Sequence, residues 1–132
     1  MTLVVDASVV IAAFTNDGPD GRWAERQLLN DHLVAPHLLP AEVANTLRRQ
    51  VLRGATSPSA AALAHADLLA LTIELFSYEP FAQRVWELRG NITAYDAWYV
   101  ALAEFLNTPL ATLDRKLAAA PGPRCTFATP VH

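Results

Sequence analysis

Four carboxylates interrupt apolar text in this chain. Asp6 stands in Leu-Val-Val-Asp-Ala-Ser-Val-Val, Glu42 in Leu-Leu-Pro-Ala-Glu-Val-Ala-Asn, Asp96 in Thr-Ala-Tyr-Asp-Ala-Trp-Tyr-Val-Ala-Leu-Ala, and Asp114 closes Leu-Ala-Thr-Leu-Asp. A lone carboxylate in such surroundings is costly to desolvate and needs compensation. Two readings compete. Locally, each acid falls at or within the first turn of a predicted helix, where capping and the helix dipole favour a negative charge. Thr93, three residues before Asp96, even approaches a capping box, although that motif prefers Glu or Gln at the third helical position. Collectively, four acids brought to one crevice would repel one another unless a divalent cation sat among them, and an all-oxygen donor set suits Mg²⁺ or Mn²⁺. Such a centre activates water and stabilises the leaving oxygen of a phosphodiester without a nucleophilic side chain. No Ser-His-Asp or Cys-His arrangement competes with it, and the five glycines are too scattered for a phosphate loop.

The elements that must position these acids follow from periodicity. Residues 3–5 read as a strand ending at Asp6, feeding a helix over 7–14; a second helix covers 22–29 after the turn Asn16-Asp17-Gly18-Pro19, and 33–36 reads as a strand. Pro40 opens a helix that Gly54 stops. An alanine- and leucine-rich helix spans 58–71, a strand 73–78, a helix 80–88, a helix 93–105, and a strand 110–113, followed by a brief helix and an edge strand within 124–128. Alternation of this kind predicts an α/β sandwich around a mainly parallel sheet of four to five strands. In a parallel sheet, strand C-termini and the helix N-termini that follow them share one edge, where ligands bind. Asp6 and Asp114 end strands, and Glu42 and Asp96 start helices, so the topology brings all four together.

Composition bounds the rest. The length of 132 residues (14.4 kDa) suits one domain over 1–132. A hydrophobic fraction of 52% with mean hydropathy +0.19 suggests apolar surface covered by a second copy or a partner. No apolar run reaches the ~20 residues of a membrane span, and no basic segment precedes the N-terminal run, so a cytoplasmic location is expected. Cys125 is the single cysteine and reads as a half-buried strand residue; the histidines at 32, 37, 65 and 132 lack metal-binding spacing. Thirteen acids against ten bases give a net charge of −3. With the four singled-out acids neutralised by metal, nine remain against the ten bases, so an RNA partner is compatible with the charge without being predicted by it.

The four blocks, in this order and spacing, resemble the PIN-domain proteins, in particular the VapC-type toxins of bacterial toxin-antitoxin pairs, over nearly the whole length. The resemblance implies a PIN-like α/β/α fold and a Mg²⁺-dependent endoribonuclease, with Mn²⁺ able to substitute, that cuts RNA and is held inactive by a cognate antitoxin. It places the family's acidic positions on Asp6, Glu42, Asp96 and Asp114, with Asp6, Asp96 and Asp114 as metal ligands and Glu42 positioning a water or a second ion. A homodimer is the expected assembly.

Supporting residues are Ser8, Asn45 and Thr112, which could orient ligands or water, or serve only as turn and strand polar groups. Tyr95, Trp98 and Tyr99 could stack on bases, though their spacing turns at least one into the core. Arg48, Arg49, Arg53, Arg84, Arg115 and Lys116 are candidate phosphate contacts. The 58–71 helix is either part of a partner surface or a plain buried helix. Among rivals, a haloacid-type phosphatase would want a second acid where Ser8 stands, and a receiver domain would want paired acids and a lysine after a later strand. A PIN-fold nuclease of RNA processing or of structured DNA without an antitoxin, and a non-enzymatic PIN-fold binding module, remain the alternatives within the family.

Overall fold

The computed structural model describes residues 1–131; His132 lies outside the described residues. Five strands, β1 (Thr2–Val5), β2 (His32–Pro36), β3 (Ile73–Phe76), β4 (Leu110–Ala111) and β5 (Phe127–Ala128), form one sheet in the order β3-β2-β1-β4-β5. Every pairing is parallel. The chain adds strands outward from β1 on one side, then returns to build β4 and β5 on the other. The order therefore reverses between β1 and β4, and that switch point opens a crevice at the strand C-termini.

Among the described residues, seven α-helices cover the sheet: α1 (Ala7–Thr15), α2 (Pro19–Gln27), α3 (Leu39–Leu52), α4 (Pro58–Ala70), α5 (Ala82–Glu87), α6 (Ala94–Leu106) and α7 (Arg115–Ala119). On one side α1 packs against α2, α3 and α4; α6 lies across β1, β2 and β4, with α5 beside it. The inner strands are apolar on both faces, as a covered parallel sheet requires: Leu3, Val4, Val5, Leu33, Val34, Leu110 and Ala111 are all buried, whereas edge strand β3 exposes Glu74 and Leu75. Gly21 permits the tight α1–α2 corner, since a Cβ there would lie 1.7 Å from the Asn16 carbonyl oxygen. Gly54, at φ +73°, ends α3 as its position suggested; its amide bonds to Val51 O at 3.0 Å and that of Ala55 to Gln50 O at 2.8 Å.

The parallel α/β architecture matches the expectation, and the differences are local. The expected strand over 110–113 keeps two ladder residues, Leu110–Ala111; the Thr112 amide still bonds Ala128 O at 3.0 Å while its side chain turns to Asp6. The edge strand is likewise reduced to Phe127–Ala128, so Cys125 is half-buried but sits before the strand rather than in it. The helix expected over 80–88 divides into a 3₁₀ turn at Glu79–Phe81 and α5. In this chain α4 is no buried helix: Ala61, Ala64 and Leu68 face inward while Leu63 and Leu69 are exposed.

Candidate active site

Asp6 follows β1 directly and is only 8% exposed. The helix it opens takes no capping bond from its side chain. Its Oδ2 instead accepts the Thr112 hydroxyl at 2.6 Å and the Ser8 hydroxyl at 3.1 Å. Both hydroxyls also brace the end of β4: Thr112 Oγ1 accepts the Asp114 amide at 3.0 Å, and Ser8 Oγ accepts the Leu113 amide at 3.1 Å. Two of these four bonds, Thr112 to Asp6 and the Leu113 amide to Ser8, tie the segment after β1 to the segment after β4, more than a hundred residues away in sequence.

Glu42 lies in the first turn of α3. The hydroxyl of Tyr99, whose side chain is fully buried in α6, donates to Glu42 Oε1 at 2.6 Å. Asp96 lies in the first turn of α6, but the cap is Thr93, whose hydroxyl accepts the Asp96 amide at 3.1 Å and leaves the carboxylate uncommitted to capping. Only Asp114 behaves as a cap: its Oδ1 accepts the amides of Lys116 and Leu117 at 3.0 and 3.1 Å. The capping account therefore covers one acid of the four.

All four line one cleft of about 420 Å³, with Ser8, Thr46 and Gln50 on its walls. Asn45 does not join them. It opens into the adjoining groove, and Thr46, one residue further along α3, faces the cleft instead. Thr46 and Gln50 are participants that the sequence did not single out; of the three aromatics read as base-stacking or core residues, Tyr99 is the one turned into the core, where it bonds Glu42.

The electrostatics of the cleft are those of uncompensated negative charge. Burial pushes the Asp6 carboxyl above its ordinary range, against its bonds to Thr112, Ser8 and the Ala7 amide, and the Asp114 charge adds to the rise. Burial likewise raises Glu42, opposed by the Tyr99 bond and reinforced by Asp6 and Asp96. Asp96 is raised by burial and then by the charges of Asp6 and Asp114. Tyr99 is pushed far above the usual phenol value by burial and by the Glu42 charge beside it, so it stays a donor. No cationic side chain forms an ion pair with any of the four among the described residues.

That donor set, oxygen only and short of positive charge, fits a hard divalent cation chemically. The side chains are gathered without being clenched: among the described residues, no three His, Cys, Asp or Glu stand as a group that could hold a metal ion in their present positions.

A model of the PIN domain matches residues 3–123. The ribonuclease VapC1 of Mycobacterium tuberculosis is 42% identical over 92% of both chains. A ribonuclease VapC3 of Pyrobaculum aerophilum is 35% identical over 89% of this chain and 93% of its own. Among solved structures, PAE2754 from P. aerophilum superposes with a TM-score of 0.71 at 24% identity, covering 96% of this chain and 83% of the other.

Proposed function

The chain belongs to the PIN-domain family, and from that premise we propose that it is a Mg²⁺-dependent endoribonuclease, the toxin of a toxin-antitoxin pair, with Mn²⁺ able to replace Mg²⁺. The observation that carries the reading is the convergence of Asp6, Glu42, Asp96 and Asp114 on one cleft at the sheet's switch point. Relatives at 35–42% identity that are named ribonucleases support the same chemistry.

Asp6, Asp96 and Asp114 would hold the cation. When bound, it supplies the Lewis acidity that makes water nucleophilic near neutral pH and offsets the charge on the phosphodiester. Thr112 and Ser8 fix Asp6 in one rotamer, and both hydroxyls donate to the same oxygen, Oδ2. The Tyr99 hydroxyl occupies Oε1 of Glu42 and so presents the rest of that carboxylate to the cleft, where it can orient a water or accept its proton. The carboxyls raised by burial and mutual repulsion are those that a cation would relieve, which couples metal binding to the folded state.

The chain acts as one domain, in the cytoplasm, paired with a cognate antitoxin and assembled as a homodimer. No described helix is long and apolar enough to cross a membrane, and exposed Leu63 and Leu69 on α4 supply apolar surface for a protein contact. The deciding experiment is incubation of purified protein with a mixed pool of cellular RNA in Mg²⁺, in chelator, and with the Asp96→Asn variant. Discrete cuts only in the metal-containing wild-type reaction are expected. Absence of cleavage with Mg²⁺ and Mn²⁺ alike would overturn the assignment in favour of a binding module.

A further inference from the structure

The acidic cleft does not stand alone. It shares Glu42 and Thr46 with a groove of about 390 Å³ that also carries Arg49 and Tyr95, and it shares Asp96 and Asp114 with a groove of about 550 Å³ that carries Arg89, Asn91 and Lys116. The three depressions therefore run as one channel, basic at both ends and acidic in the middle. The end beside Glu42 has a further feature: Tyr95 is 62% exposed, next to a guanidinium that is itself steadied by the Thr46 hydroxyl at 3.2 Å from Arg49 Nη2. An exposed ring and a planar cation lining one groove can serve as a platform for an unstacked base and its phosphate. Two other candidate bases are committed elsewhere, Arg84 to Glu104 and Arg115 to the Pro130 carbonyl at 2.8 Å. At the far end Arg89 lies over the Trp86 ring, 4.5 Å from its centre, with Nη1 donating to the Trp86 carbonyl at 2.8 Å and its remaining guanidinium donors left to the groove, and Lys116 is exposed.

We propose that a single strand of RNA lies along this channel, with one base stacked on Tyr95, a phosphate on Arg49, the scissile phosphate over the four acids, and the continuing backbone between Arg89 and Lys116. The assignment rests on the nuclease reading for its central phosphate, while its two ends stand on the grooves themselves. It requires a single strand because a paired base cannot offer its face to an exposed ring. The ring supplies contact area without charge, and the guanidinium supplies charge, so the two contributions separate experimentally.

The test is fluorescence anisotropy of a labelled twelve-nucleotide RNA of mixed sequence, single-stranded and as a duplex, titrated in chelator over a range of salt. Tyr95→Ala should weaken single-strand binding about ten-fold with the salt slope unchanged, and Tyr95→Phe should restore it. Arg49→Gln should lower the slope of log K against log salt by about 0.7, the contribution of one phosphate contact on a single strand. Arg26→Gln on α2, outside the channel, is the control and should change neither. Melting curves of these exposed-site variants should match wild type. Wild-type affinity in Tyr95→Ala, equal binding of the duplex, or no binding by the wild type would each overturn the channel. Weakened binding in the variants of a chain that cuts no RNA would keep the channel and sink the nuclease; intact cleavage with indifferent variants would do the reverse. If the variants leave RNA binding untouched but loosen a protein inhibitor, the platform belongs to a protein and the proposal falls.

Discussion

Helix α6 carries one acid near each end, and their surroundings are opposite. Near its C-terminus, where the helix dipole disfavours negative charge, Glu104 is clasped by Arg84, with Nε to Oε1 at 2.7 Å and Nη2 to Oε2 at 3.1 Å, and by the Arg124 amide at 2.7 Å. Burial acts to raise its carboxyl, yet these bonds and the two arginine charges hold it below the ordinary value. In the first turn, where the dipole favours an anion, Asp96 has acids for neighbours and is raised. At Glu104 the arginine contacts outweigh burial, whereas at Asp96 burial, the larger effect, and the neighbouring acids act together against the dipole. One end of the helix spends its carboxylate on stability, and the other keeps three more carboxylates at a stability cost that only a ligand can relieve.

Substitutions at the two ends sharpen this contrast. Asp6→Asn or Asp96→Asn should lower RNA cleavage by at least about 100-fold, beyond the 10–100-fold loss typical of a residue that merely supports a ligand. The same variants should melt no lower than wild type in chelator, since they remove repulsion. Loss of folding, checked by circular dichroism, would break the contrast. Tyr99→Phe should reduce kcat about ten-fold with KM little changed, because Glu42 loses its orientation and the substrate loses no contact; a pure KM effect would speak against the positioning role. At the other end, Arg84→Ala should leave cleavage intact and lower Tm by roughly 5 °C, from the loss of a partly solvated bidentate pair.

The smallest effect is on the pH dependence of stability in chelator. Raised carboxyls bind protons more tightly in the folded state, so the contribution of Asp6, Glu42 and Asp96 is fully present below the ordinary carboxylate range and is lost as pH rises through their raised values. Glu104, held low, contributes above the ordinary glutamate value and loses that contribution as pH falls through its lowered one. Thermal melts of Asp96→Asn should therefore lose less stability than wild type between the ordinary carboxylate range and neutrality, and those of Arg84→Ala should lose less on acidification below it. Profiles parallel to wild type would contradict the charge account.

Much of the site was legible in the sequence because the four acids broke apolar text at strand ends and helix starts, and a parallel topology leaves such positions only one edge to occupy. The fates of particular neighbours were not. Nothing local distinguished Asn45 from Thr46, although one hundred degrees of helix separates the outer groove from the acid cleft. Asp114, Asp96 and Asp6 looked alike as helix starters, yet only Asp114 caps. Arg84 read as a free surface base because its partner, Glu104, lies on another helix.

The sequence by itself determined the alternation of strands and helices, the parallel sheet and the identity of the acids, since hydrophobic period, glycine and proline positions and buried charge are properties of the chain's local text. Only the tertiary structure decided which hydroxyl holds which carboxylate, that Tyr99 turns inward to Glu42 while Tyr95 stays exposed beside Arg49, and which charges are paired. Those choices depend on contacts between segments far apart in sequence, whose geometry is fixed only when the sheet and its helices close on one another.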